Sequence, residues 1–164
     1  MLVKEYRNRD TVATWIFALF IVCTFYNVDG SATGGFVDYP TWLLIQKAEF
    51  AAYQRVLGLG AVPMMVLPGL ASLLLNSVLV YIRPVAVPGG SVKASLVLAL
   101  LITGATLIVQ LTMHEQLSRG NTITLTNSLM HLDLLRWLAG AVRAALTSWM
   151  LFRVLQHSQE SRVW

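Results

Sequence analysis

Apolar residues run along this chain in four long blocks, without the alternation of strands or the narrow stripe of a soluble amphipathic helix. Thr11 to Val28, Val56 to Ile82 and Ala94 to His114 each run without a single charge. A fourth block, Leu134 to Leu155, is interrupted only by Arg136, Arg143 and Arg153. A helix that crosses a bilayer needs about 20 mostly apolar residues. The pattern therefore predicts an all-α integral membrane four-helix bundle, one transmembrane domain over 1–164 with spans near 11–28, 56–82, 94–114 and 134–155. Lys4, Arg7 and Arg9 precede the first block as in a signal peptide, but its length suits a retained helix better. Gly30 to Tyr39, with Ser31, Gly34 and Gly35, reads as loop. Pro40-Thr41 reads as a helix start, predicting an extra helix over about 41–54 that lies along the interface or extends the second span outward. Pro63 and Pro68 should kink the second span, and Arg83-Pro84, Pro88, Gly89 and Gly90 mark a tight turn.

Polar groups in hydrocarbon are costly and turn toward a bundle's interior, so their helical phase carries information. In the third span Thr103, Thr106, Gln110 and His114 follow steps of three and four residues, which places them on one face. In the fourth, Asp133, Arg136, Gly140, Arg143 and Thr147 do the same. Antiparallel packing lets the two stripes meet, with Arg143 level with Thr106. On the second span Glu49 and Tyr53 share a face, as do Gly69, Ser72 and Asn76, and Asn27 lies near the end of the first span. Polar residues thus gather in one half of the bundle, the half away from the chain termini. Arg143 cannot stand alone in hydrocarbon and stays charged. Its partner is expected to be a carboxylate (Glu49 if the 41–54 helix folds back, otherwise Asp133) or a bound anion. Asp133 and Arg136 also read as a simple surface ion pair.

Composition narrows the chemistry. Of 164 residues 56% are hydrophobic and 12% charged, with mean hydropathy +0.64. Cys23 is the single cysteine, which excludes an intrachain disulfide and a CxxC redox pair. Three histidines are too few for a histidine-rich di-iron hydroxylase. His114-Glu115 opens like HExxH, but Ser118 stands where the second histidine belongs. No phosphate-cradling or nucleophile-elbow motif occurs. No metal site and no cofactor are expected. The net charge of +4 has no basic run to carry it, so it reports membrane orientation and not nucleic acid.

The pattern His114-x-x-Leu117-x-x-Gly120, then Leu135-Arg136, Arg143-Ala144 and Trp149-Met150-Leu151, resembles a group of small bacterial four-helix membrane proteins. Glu49-Phe50-x-x-Tyr53 and the proline-bearing second span belong to the same resemblance, which is distantly similar to the anthrone-oxygenase-like superfamily. Gln54 stands where that group often carries histidine. The resemblance implies a four-helix bundle in a bacterial inner membrane. It also implies oxidation of a flat aromatic molecule without metal or flavin, and it assigns no catalytic residue.

Two functional expectations follow. One is a small membrane enzyme acting on a lipophilic molecule: Glu49 or His114 removes a proton, Arg136 or Arg143 stabilises the anion, and Tyr53, Gln110, Asn27 and Asp133 line the site. Cofactor-free oxygenase or isomerase chemistry needs no more. The other is an accessory or stabilising subunit of a larger membrane complex. The bilayer is the expected partner in both, and a homo-oligomer is compatible with either. A small multidrug transporter would need a carboxylate within the first span, and Ala13 to Asn27 holds none. For orientation, Lys4, Arg7, Arg9, Arg83, Lys93, Arg153 and Arg162 flank one side, against Lys47, Arg55, Arg119 and Arg136 on the other. Basic loops stay in the cytoplasm. An alkaline phosphatase fused to the C-terminus should therefore be inactive in cells, and an active fusion would reverse the topology.

Overall fold

The computed structural model describes residues 2–110, 112–113, 116 and 123–160. Helix α1 spans Leu2–Thr33 and runs through a π-helical turn, Gly34–Asp38, into the short α2, Tyr39–Trp42. Helix α3 (Lys47–Ala61) leads through a second π turn, Val62–Val66, into α4 (Leu67–Tyr81). Helix α5 (Gly89–Ala105) ends in a third, Thr106–Gln110, and α6 covers Ile123–Glu160. No strand occurs among the described residues. Among the described residues four helices are long and apolar enough to cross a membrane, Arg9–Trp42, Pro63–Tyr81, Gly89–Ile108 and Thr124–Glu160. Helices α1 and α5 each pack against both α4 and α6, so the spans close into a ring. Between 17% and 28% of each apolar window is buried. The remainder, including Trp15, Leu74 and Ile108, faces outward as in a chain solvated by lipid.

The sequence places the first break wrongly. Gly30 to Tyr39 is helical, and the chain turns at Leu43–Gln46 instead, where Leu43 and Leu44 amides donate to Pro40 and Thr41 carbonyls. Small residues taken for a loop lie inside the bundle: Ser31 is buried, and Gly35 lies against Asp133. Small side chains at helix interfaces are the rule in membranes. The expected helix over 41–54 accordingly begins at Lys47 and extends the second span instead of lying apart. Its junction with that span is the π turn that holds Pro63. The missing N–H and the ring of a proline prevent the ordinary i to i−4 bond.

Two apolar clusters close the ends of the bundle. Phe17, Phe20, Leu79, Val87, Val92 and Met150 fill the end that carries the termini. Tyr39, Trp42, Phe50 and Leu129 fill the other, with Trp42 edge-on to Tyr39 at 4.7 Å and to Phe50 at 6.0 Å. Between them α6 approaches α1 closely at Gly140, where an added Cβ would stand 3.4 Å from Val28 Cγ2. Cysteines at Val28 and Gly140, in a Cys23→Ser background, should be joined by a short bifunctional thiol reagent, since the Val28 side chain lies against the Gly140 position. Failure to crosslink would contradict this packing.

Candidate functional site

Mid-bundle polarity starts from α6. Arg143 is only 4% exposed. Its Nε donates to Ser95 Oγ on α5 at 3.3 Å and its Nη2 to Ser72 Oγ on α4 at 2.9 Å. The guanidinium carbon also lies 5.4 Å from the Phe20 ring centre on α1, a cation–π contact. Ser72 shares a hydrogen bond of 3.1 Å with Thr24 on α1, and Asn76 Nδ2 donates to Ser95 Oγ at 3.1 Å. Thr147 Oγ1 donates to the Arg143 carbonyl at 2.8 Å. One side chain therefore ties together polar groups from all four spans. Among the described residues no carboxylate reaches it.

This arrangement corrects the expected carboxylate partner of Arg143. Asp133 is fully buried and belongs to Arg136, with which it forms an ion pair one helical turn away. Glu49 is exposed at the start of α3. Ser72 lies midway along the Pro63–Tyr81 span, so the guanidinium sits near the middle of the bundle. Its long stem carries the guanidinium to Ser95, while Arg143 and Thr106 line the same cavity. The Asp133–Arg136 pair is not a surface pair either. Its carboxylate occupies the space that Gly35 leaves, for an added Cβ there would stand 2.5 Å from Asp133 Oδ2.

Next to this network lies a cavity of about 90 Å³. Arg143 and Arg136 from α6 line it, with Asn27 and Ser31 from α1 and Thr103 and Thr106 from the third span. Met64, Met65 and Val66 of one π turn, and Thr106 and Leu107 of another, form further parts of its wall. The first π turn, Gly34–Asp38, contributes Gly35, which seats the Arg136 partner. Single π turns widen a helix and recur at functional sites, and here two of them line the cavity. Thr106 Oγ1 donates to the Ile102 carbonyl at 2.8 Å. Gly69 makes room for Asn27, whose amide nitrogen is 3.0 Å from where a Cβ would be.

Of the residues expected at the site, the structure thus brings Asn27, Arg136 and Arg143 to one cavity, with Asp133 behind Arg136. Tyr53 packs instead with the aromatic cluster, its ring 6.5 Å from Trp42. Gln110 closes the third π turn, and its side chain, like all of His114, lies outside the described residues. Sequence reasoning overlooked Thr24 and Ser95. Both are fully buried hydroxyls in mid-span, and that position was the available signal. No group of three or more metal-ligating side chains occurs among the described residues. Comparison with family models, with curated proteins and with solved structures returns no match. Gly35→Ala should lower thermal stability in detergent by about 1–3 kcal/mol through overpacking against Asp133. Gly34→Ala, with open space at its Cβ, serves as the control, and equal stability of the two variants would contradict the seat assigned to Asp133.

Proposed function

We propose that this is a small integral protein of a bacterial inner membrane, both termini cytoplasmic, which binds a lipophilic molecule between its four spans. The molecule's polar head faces Arg143 near the middle of the bundle, with Arg136 on the side away from the termini. One observation carries this reading: a buried guanidinium lines a cavity and is held, among the described residues, by neutral hydroxyls and a ring. Charge in hydrocarbon costs about 2.5–3.5 kcal/mol on insertion scales, so such groups tend to mark ligand pathways or sites. A cavity between the helices of a bundle, apolar on most sides with a few convergent polar groups, is where small molecules bind.

Turnover would add one step to that reading. Two guanidinium groups beside a bound enol or phenol stabilise its anion, the chemistry shared by cofactor-free oxygenases and isomerases. Glu49 and His114 are the bases such a step would draw on. Glu49 stands exposed at the start of α3 and does not line the cavity, so the geometry favours binding over proton abstraction by that carboxylate. An accessory subunit, the other reading, needs the Arg143 network but no occupant. Native mass spectrometry of protein extracted in mild detergent separates the two. The wild type should carry a co-purifying amphiphile, and Thr103→Trp, which fills the cavity, should lose it while keeping its helical circular dichroism. A wild type that carries nothing and takes up no added amphiphile would contradict the binding reading.

A further inference from the structure

The charges at the cavity do not cancel. Arg143 and Arg136 both line it, and among the described residues only Arg136 is offset by a carboxylate, that of Asp133. One unit of positive charge remains on a side chain that is 4% exposed and whose partners are the hydroxyls of Ser72 and Ser95 and the Phe20 ring. Hydroxyls satisfy the donors of a guanidinium without neutralising it, and a single negative charge would do so. A dianion would overcompensate.

Space limits what can bring that charge. A water-sized group needs about 10 Å³ of such space or a little more. The cavity, of about 90 Å³, therefore holds on the order of six to nine of them. That suits a carboxylate and the first few carbons attached to it, while a fused ring system would overfill the chamber. The rest of a lipophilic ligand needs a second compartment. One exists: an apolar groove of about 190 Å³ runs between α5 and α6, lined by Leu101, Ala105, Leu132, Leu135 and Ala139. It shares Ile102 and Arg136 with the cavity, so the two compartments meet at those side chains. Two of its lining residues are alanines, whose short side chains leave width for a chain to lie between the helices.

We infer that the occupant is a single-chain amphiphilic monoanion, of the long-chain carboxylate class, with its head against Arg143 and its chain in the α5–α6 groove. The inference rests on the cavity being a ligand site, and it adds the ligand's charge, its shape and its path.

Cis-parinarate, a fluorescent long-chain acid, and its methyl ester test the charge on delipidated wild type in dodecyl maltoside. The acid should bind at least about tenfold more tightly than the ester, the scale of one charge-assisted contact. Equal binding would overturn the monoanion while leaving the cavity a lipophilic site; no binding of either would contradict the site itself. Arg143→Met should abolish the preference between acid and ester. The comparison in wild type needs no variant, so it stands even if that protein does not fold. Ala139→Trp tests the path by filling the groove. It should weaken competition by palmitate several-fold and leave competition by octanoate unchanged. Palmitate competing as well as in wild type would overturn the groove as the chain's route.

Discussion

A guanidinium in the middle of an apolar bundle is the constraint around which the rest is arranged. Arginine stays charged at any ordinary pH, so Arg143 cannot escape the cost of burial by losing its proton. Its donors must be met by side chains, and the neighbouring spans supply them at one level: Ser72 from α4 and Ser95 from α5, backed by Thr24 and Asn76. Phe20 supplies the face of a ring from α1. Lipid gives no hydrophobic drive for helices to associate, and interhelical hydrogen bonds and close packing take its place. Serving one cation therefore also fixes which helices are neighbours and at what depth they register.

The layers on either side follow from this. Toward the termini the polar level gives way to packed Phe17, Phe20, Leu79 and Met150. Toward the other end it opens into the cavity, then the buried Asp133–Arg136 pair, then the aromatic cluster around Trp42. A cavity beside a buried charge persists only if the helices are held from collapsing onto it. The π turns at Val62–Val66 and Thr106–Gln110 give two spans an irregular wall at this level. Pro63 supplies a local cause for the first of these.

How much of this could be read in the sequence depended on which physical effect governed each feature. The four spans were legible because hydrophobic length alone determines them, and the ring of spans agrees with an all-α bundle. The stripe on the fourth span was legible because helical period places Arg136 and Arg143 on one face, and both reach the cavity. The segment from Gly30 to Tyr39 was misread because glycine and serine serve equally in turns and in close helix contacts. Only the Asp133 carboxylate seated at Gly35 decides between those roles. Arg143's partners were misread for another reason: opposite charge suggested a carboxylate, whereas the side chain's reach and the levels of Ser72 and Ser95 made hydroxyls available. Serine and threonine are common in spans of this kind, so Thr24 and Ser95 do not stand out until a cation is seen beside them.

The central claim is that the hydroxyls exist to hold Arg143, and thermal unfolding in detergent of three variants measures it most directly. Removing the hydroxyls alone, Ser72→Ala with Ser95→Ala, strands a buried charge and should be strongly destabilising, by about 3–5 kcal/mol. Adding Arg143→Leu to that pair should restore most of the loss, because an apolar side chain needs no partner there. Arg143→Leu alone should be mild, since Thr24 and Asn76 still bond to the two serines. A triple variant no more stable than the double would contradict the account, for it would show that the serines stabilise the bundle independently of the arginine.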